Sequence, residues 1–232
     1  HLGRVLQRPL RVGVLCGDVV EFGAVGGCVV ARPGAALKAD GLPVGIAEAA
    51  VGDTDVSLRD WRLGRQARNG GSRYRALVSS DSAGFGFDLQ FDTVQTVLLQ
   101  GDAGYSRKGP QPAQASHYYS QPQLAVSGTV TRDGKTLPVR GTAWLDHEWS
   151  DSLLDPAAVG WDWIGMNLDD GAALTAFRLR GVDGSTVYGG GSFRAAGGAV
   201  RNFAASEVLL TPGRHWTSPG SQARYPVEWS LD

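Results

Sequence analysis

The sequence predicts an all-β protein built from antiparallel strands, as sandwiches or up-and-down barrels. Glycine is abundant, with 33 residues, and together with 11 prolines it indicates many turns between short strands. Residues 85–92 (FGFDLQFD) alternate strictly between apolar and polar side chains, which is typical of a half-buried antiparallel strand. Turn signals recur at Asn69-Gly70-Gly71, Asp133-Gly134 and Asp183-Gly184. No stretch has the pattern of an amphipathic helix.

Residues 1–45 differ from the rest of the chain and predict an irregular N-terminal segment without chemistry. They are rich in Gly, Ala and Val and have no sustained period of two or 3.6, although residues 14–20 (VLCGDVV) and 27–32 (GCVVAR) could form short strands. Cys16 and Cys28 could pair, but neither has metal-ligand spacing, and two cysteines do not fix a redox compartment.

From Val56 onwards the pattern becomes one of strands separated by turns. Residues 56–66 (VSLRDWRLGRQ) alternate and predict one strand that stops at the Asn69-Gly70-Gly71 turn. Further strands are expected within 72–80, 96–101 and 121–150, with a hairpin at Asp133-Gly134.

The same pattern restarts after Pro156. A meander of three strands is expected, connected by turns at Asp169-Asp170-Gly171 and Asp183-Gly184; the strands lie within residues 160–168, 172–180 and 185–195. The stretch 151–160 is therefore a plausible seam between two β units.

Composition and charge exclude several classes of protein. The 22 basic and 23 acidic residues nearly cancel, which argues against nucleic acid or an anionic membrane surface as the main partner. No apolar run approaches the roughly 18 residues that a membrane span needs. The chain starts at His1 and shows no signal peptide. None of the four histidines has metal-ligand spacing, so neither a metal nor another cofactor is predicted.

Residues 141–150 (GTAWLDHEWS) concentrate large rings and titratable groups. On a strand, Leu145, His147 and Trp149 share one face, and Trp144, Asp146 and Glu148 share the other. An imidazole in a closed apolar barrel can transfer protons near neutral pH. The alternative is a core histidine bonded to a backbone carbonyl, with Asp146 and Glu148 in solvent. His147-Glu148 begins like a zinc-protease motif, but Asp151 replaces the second histidine, and no serine-hydrolase elbow occurs.

Two neighbouring segments add candidate ligand contacts. Residues 101–123 form a long connection that could be a lid at a barrel mouth or a packed surface loop; its candidate side chains are Tyr105, Lys108, Tyr118 and Tyr119. On the strand 160–168, Trp161 and Trp163 share one face and Asp162 lies on the other. Asp162 is expected to be buried and paired with Arg178 or Arg180.

These residues give the chain a resemblance to a known family. The matching stretches are LLQGDAGYSRKGP (98–110), HYYSQPQLAVSGTV (117–130), GTAWLDHEWS (141–150), GWDWIGMNLDDG (160–171) and FRLR (177–180). In combination they resemble the AttH-like family, which includes carotenoid 1,2-hydratase and proteins labelled predicted secreted hydrolases. The resemblance covers residues 46–195.

The resemblance implies two tandem lipocalin-like antiparallel β-barrels or sandwiches, joined between DHEWS and GWDW. The expected organisation is an irregular segment at 1–45, a first lipocalin-like domain at 46–157 and a second, incomplete one at 158–232; the chain is then a fragment. The hydratase branch uses a His-x-Trp that matches His147 and Trp149. Its downstream Tyr-x-Asp, with the presumed acid, would fall at Leu174 and Ala176, where this chain has neither residue.

The resemblance implies two functions. The first is binding of a hydrophobic small molecule, a lipid or an isoprenoid, by a protein of the periplasm or cell envelope linked to an ABC-type exporter. The second is a hydratase or lyase that adds water to an isoprenoid C=C. The candidate catalytic residues are His147, Glu148 and Asp146. The candidate ligand-binding residues are Leu145, Trp149, Trp144, Tyr105, Lys108, Tyr118, Tyr119, Trp161 and Trp163.

Overall fold

The computed structural model describes residues 47–150 and 155–232, and the strand backbone at 20–21 and 28–29. The strands in chain order are β1 (Val20–Glu21), β2 (Cys28–Val29), β3 (Ala47–Ala49), β4 (Asp55–Leu58), β5 (Trp61–Arg68), β6 (Gly71–Ser80), β7 (Phe85–Asp92), β8 (Leu98–Leu99), β9 (Tyr105–Arg107), β10 (Ala115–Arg132), β11 (Lys135–Trp149), β12 (Gly160–Asn167), β13 (Ala173–Arg180), β14 (Thr186–Arg194), β15 (Val200–Phe203), β16 (Leu210–Pro212), β17 (His215–Thr217), β18 (Arg224–Pro226) and β19 (Trp229–Leu231). In this part of the chain the helical content is one 3₁₀ turn, Ala205–Glu207. The all-β prediction is confirmed.

The first compact unit comprises the described residues up to Leu98 together with Tyr119–Trp149. Its strands follow one another in the order β11-β10-β7-β6-β5-β4-β3, and each register that is defined is antiparallel. The apolar side chains of these strands form one core cluster: Val56, Leu63, Tyr74, Ala76, Leu89, Phe91, Leu124, Val126, Ala143 and Leu145. Phe87, Leu89 and Phe91 therefore share the buried face that their alternation predicts.

The predicted single strand at 56–66 is wrong, because the chain reverses in its middle. Leu58 pairs with Trp61 and Val56 with Leu63, so β4 and β5 form a tight hairpin. Arg59 takes a left-handed backbone conformation, with φ of 54°. An Arg-Asp pair is not among the usual hairpin signals, which explains why the alternation alone was misleading.

Two glycine positions support the pairing of the long strands. The β10–β11 hairpin turns at Asp133 and Gly134, both with positive φ (50° and 74°), as the sequence predicts. At Gly128, a Cβ would lie 2.1 Å from the Asp88 carbonyl oxygen, and φ is +148°. Glycine is required there because β10 passes directly against β7.

The second unit comprises Leu99–Tyr118 and the described part of Ser150–Asp232. It contains an antiparallel meander, β12-β13-β14-β15, which includes the three predicted strands and adds a fourth. Two further pairs, β16–β19 and β17–β18, follow. Ala176, Val208 and Leu210 form one apolar core cluster of this unit, with Ile164, Phe203 and Trp229 packed against them.

A buried ion cluster joins β12 to β13, as the sequence predicts. The Arg178 guanidinium donates from Nε to the Asp162 carboxylate at 2.8 Å, and these side chains are only 11% and 10% exposed. Arg180 Nε lies 3.1 Å from the same oxygen, without the alignment of a hydrogen bond.

Three sequence-based expectations are not decided by these elements. The domain boundaries at 46–157 and 158–232 stay a prediction, and the contacts divide the chain differently because residues 99–118 belong with the second unit. Within 1–45, the structure describes the paired backbone of β1 and β2, while Cys16 lies outside the described residues. Among the described residues, no helix has the length and apolar character of a membrane span.

Candidate functional site

The predicted site segment lies at the end of β11, where the strand changes from fully buried to accessible. Four consecutive residues, 143–146, are buried, so both faces of the strand are covered at this point. Leu145 belongs to the apolar core. His147 follows on the same face and is partly buried, and Trp149 is 44% exposed. This strand face therefore leads from the core towards solvent.

Three aromatic side chains meet at this position, and we call Tyr119, His147 and Trp149 the His147 cluster. The Tyr119 hydroxyl lies 2.9 Å from His147 Nδ1. The imidazole centroid is 5.1 Å from the Tyr119 ring and 5.1 Å from the Trp149 ring, each tilted by 58°. The alternative interpretation, a core histidine, predicts that His147 bonds to a backbone carbonyl. The structure shows the Tyr119 hydroxyl as the partner of Nδ1 instead.

Two further polar residues of the first unit influence the Tyr74 hydroxyl. Tyr74 is buried on β6, and both Arg65 and Tyr119 oppose the rise in its pKa. Arg65 in turn donates from Nη1 to the Asp53 carboxylate at 3.0 Å and from Nε to Ser72 Oγ at 2.9 Å.

Burial determines the charge states of the His147 imidazole and the Tyr74 hydroxyl. Desolvation lowers the pKa of His147, because removing water penalises the imidazolium. Desolvation likewise raises the pKa of the Tyr74 hydroxyl, against the opposing influence of Arg65 and Tyr119. Both groups are therefore neutral near neutral pH, and the His147 cluster presents a neutral, hydrogen-bonding ring between two aromatic faces.

The depressed pKa of His147 predicts a loss of stability in mild acid. Below 6.5, the ordinary pKa of histidine, the unfolded chain takes up a proton that the folded chain resists, so the free energy of unfolding falls as the pH drops towards the folded pKa. Urea unfolding at about pH 7 and about pH 5 should show a smaller fall for His147→Gln than for the wild type. His117→Gln, at an exposed ring, is the matched control for replacing a histidine by glutamine. An equal fall in His147→Gln would contradict the desolvation of the imidazole.

Asp146 lies on the opposite face of β11 and is only 4% exposed. Its Oδ1 accepts hydrogen bonds from Ser120 Oγ at 2.6 Å and from Trp144 Nε1 at 2.9 Å. The structure therefore contradicts the alternative interpretation, in which the Asp146 carboxylate is solvated. The Ser120 bond links β10 to β11, and the Trp144 bond lies within β11; a catalytic role for Asp146 stays a prediction.

The second unit brings three predicted site residues together with Phe177, and we call Lys108, Tyr118, Trp163 and Phe177 the Lys108 cluster. Lys108 Nζ lies 4.6 Å from the Tyr118 ring centroid and 4.2 Å from that of Phe177. It also donates to Ser106 Oγ at 3.1 Å. Trp163 Nε1 donates to the Tyr118 hydroxyl at 3.1 Å. Such geometry stabilises a cation between two ring faces.

The remaining predicted site residues join neither cluster. Tyr105 is half exposed, donates from its hydroxyl to the Pro112 carbonyl at 2.9 Å and meets the His117 ring edge-on. Trp161 is 55% exposed. Glu148 is partly buried on β11. Their assignment to a catalytic or binding role stays a prediction.

Sequence reasoning missed four partners that the structure brings to these clusters. Tyr74 lies on β6, Arg65 on β5, and Ser120, the partner of Asp146, on β10; each is separated from residues 144–149 by more than 20 positions. Phe177 lies in the stretch FRLR (177–180), and no ligand-binding role is predicted for it. Tyr74, alternating with Ala76 and Val78 on β6, was the available signal for an inward-pointing hydroxyl. Among the described ranges 47–150 and 155–232, no group of three or more His, Cys, Asp or Glu side chains could hold a metal ion.

Comparison with known proteins identifies the family. A family model described as AttH-like matches residues 35–232, which is most of the chain. The chain belongs to the AttH-like family. This AttH-like chain shares 46% sequence identity with an AttH protein from Nitrosomonas europaea, whose solved structure superposes with a TM-score of 0.74. The resemblance drawn from the motifs is thereby confirmed, and so is the all-β, lipocalin-like fold class.

A second solved structure, kievitone hydratase from Nectria haematococca, resembles the AttH-like chain with a TM-score of 0.62 and 18% identity. At that identity the likeness concerns the fold alone. The two matches cover 79% and 78% of this chain but only 56% and 54% of the solved proteins, so it spans about half their length. A search of curated proteins found no match.

Proposed function

We propose that this AttH-like chain binds a hydrophobic small molecule, a lipid or an isoprenoid, against the His147 cluster. One observation carries the proposal: a neutral imidazole is held between two aromatic rings where the apolar face of β11 leaves the core. Ligand sites combine apolar and aromatic walls with a few placed polar groups. Tyr119, His147 and Trp149 supply that combination on adjacent strands.

The location and partner follow from the family resemblance and form a second part of the proposal. We propose that the protein acts in the periplasm or cell envelope and is linked to an ABC-type exporter. Crosslinking in the source cells, with an affinity tag on the full chain, tests the exporter contact. Recovery of the tagged protein only in the cytoplasmic fraction would contradict the location.

One observation favours the alternative function, a hydratase that adds water to an isoprenoid C=C. The Tyr119 hydroxyl contacts His147 Nδ1, so an acid–base pair exists even though Leu174 and Ala176 occupy the positions of the expected Tyr-x-Asp. Protonating an isolated alkene requires a strong acid, however, and desolvation lowers the pKa of His147 while keeping the ring neutral. Binding is therefore the better supported function.

Substitution of Trp149 tests the binding proposal. Trp149→Ala should weaken the binding of cis-parinaric acid, a fluorescent fatty acid, about tenfold or more, because a large aromatic wall is lost. The affinity is measured by fluorescence titration. Trp216→Ala is the matched control: Trp216 is also a half-exposed tryptophan, stacked on Tyr225 in the β17–β18 pair. Equal affinities for wild type and Trp149→Ala would refute the site.

His147→Ala separates the two functions. If the protein is a binder, this variant should retain part of its affinity, and no water should be added to squalene or a related polyene by wild type or variant. Wild-type hydration that His147→Ala abolishes, with affinity retained, would instead establish the enzyme. Mass spectrometry detects the added water directly.

A further inference from the structure

The ion cluster on β12 and β13 carries more positive than negative charge, and we call Asp162, Arg178 and Arg180 the Asp162 cluster. The Nε atoms of Arg178 and Arg180 lie 2.8 Å and 3.1 Å from the same Asp162 carboxylate oxygen. Within residues 47–150 and 155–232, no second carboxylate pairs with either guanidinium. Two arginines and one aspartate therefore leave one positive charge uncompensated.

Donors of both guanidiniums also lack an acceptor in the described part of the chain. Arg178 is buried, and its hydrogen bond leaves from Nε, so neither Nη group is used. Arg180 Nε is shielded from solvent and, although it lies close to Asp162, it is not aligned to donate to that carboxylate. Leaving a charged donor unsatisfied is costly. The cluster therefore has both the charge and the donors to hold an anion.

Arg180 keeps the Asp162 cluster within reach of solvent. Its side chain is 37% exposed, whereas those of Arg178 and Asp162 are 11% and 10% exposed. Gly160 is the cross-strand partner of Arg180, and a Cβ at Gly160 would lie 2.9 Å from Arg180 Nη2. The Arg180 guanidinium therefore lies against the β12 backbone at a position without a side chain. A small anion that approaches from solvent meets Arg180 first.

We infer that the Asp162 cluster is a binding site for a small molecule that carries one carboxylate group. The single uncompensated positive charge matches a monoanion, and a planar guanidinium donates to both oxygens of a carboxylate. The Trp229 ring, with its centroid 5.8 Å from Arg178 Cζ, offers an aromatic surface to a short hydrocarbon part. This inference goes beyond the proposed function, since it uses no residue of the His147 cluster.

NMR of the arginine side chains in the full chain tests the site directly. Butyrate is the probe, and butyramide, which is similar in shape but uncharged, is the control ligand. At neutral pH, and at an ionic strength held constant with sodium chloride, butyrate should shift the Nε–H signals of Arg178 and Arg180 along one saturable curve. Butyramide should leave them in place. Unchanged signals, or equal shifts at every exposed arginine, would overturn the inference.

Removing the excess charge gives a second test. Arg180→Gln leaves the Asp162–Arg178 pair in place but makes the cluster neutral, so the affinity for butyrate should fall about tenfold or more. Arg224→Gln is the matched control: Arg224 is an exposed arginine of the same unit, and its replacement changes the net charge of the chain equally. Urea unfolding checks that both variants are folded. Equal weakening in the two variants would mean that general charge attraction, and not this cluster, holds butyrate.

Arg180→Lys separates the planar donor from the charge. Lysine keeps the positive charge but not the guanidinium fork, so this variant should retain more affinity for butyrate than Arg180→Gln and less than the wild type. Full wild-type affinity in Arg180→Lys would contradict recognition by the fork.

Inorganic phosphate tests the class of anion. It is tetrahedral and carries more than one negative charge at neutral pH, so it should bind the Asp162 cluster more weakly than butyrate. Tighter binding of phosphate would overturn the carboxylate assignment. Neither result bears on the proposed function, which stands or falls with the effect of Trp149→Ala.

Discussion

Replacing Asp162 by alanine is expected to lower the free energy of unfolding by about 3–5 kcal/mol, because it removes the partner of a buried charge. Asp162 and Arg178 are both largely excluded from water, and Arg178 Nε donates to the carboxylate at 2.8 Å. Without Asp162, the Arg178 guanidinium stays desolvated with no counter-charge, and Arg180 loses its contact too.

Urea unfolding followed by tryptophan fluorescence measures this loss. The control is Glu228→Ala in the same unit, which breaks a 3.9 Å contact with Arg214 between side chains that are mostly exposed. That substitution should change the free energy of unfolding by no more than about 1 kcal/mol. Equal effects of the two substitutions would mean that Asp162 and Arg178 remain hydrated.

The second large effect is expected at Asp146. Asp146→Ala should lower the free energy of unfolding by about 2–5 kcal/mol, because two buried donors, Ser120 and Trp144, lose this acceptor. Asp146→Asn keeps an oxygen at the same place and should cost about half as much. Comparing Asp146→Ala with Asp146→Asn distinguishes the loss of the hydrogen-bond acceptor from the loss of the negative charge.

Asp88→Ala is the control for Asp146, since the Asp88 carboxylate pairs with Arg75 on an accessible strand face of the same unit. It should cost no more than about 1 kcal/mol in the same urea experiment. If Asp146→Asn unfolds like the wild type but abolishes a measured hydration activity, Asp146 is catalytic and the structural interpretation is wrong.

The strands were predictable where local chemistry determines them. Phe87, Leu89 and Phe91 alternate with polar residues and do form the core face of β7, and Asp133-Gly134 does form the turn between β10 and β11. The β4–β5 turn at Arg59 was not predictable, because a left-handed arginine is set by the pairing of Leu58 with Trp61 and not by a local preference.

Only the part of the candidate site that lies on the single strand β11 was predictable from the sequence. Alternation on a strand correctly placed Leu145, His147 and Trp149 together, and Trp144 with Asp146. It could not supply Tyr119 or Tyr74, since cross-strand neighbours depend on register, and a change of register by one residue reverses every side chain. The contact between Tyr119 and His147 therefore follows only from the pairing of β10 with β11.

The strand β10 has a consequence for how this chain can be divided. Its first residues, Ala115–Tyr118, belong to the second unit with Leu99–Arg107, and Tyr119 onwards belongs to the first. During translation, residues 99–118 are therefore synthesised before their partners beyond residue 150. The first unit can complete its sheet only once Trp149 has emerged. A cut between Leu98 and Leu99 would therefore separate β3–β7 from β10 and β11, which belong to the same sheet.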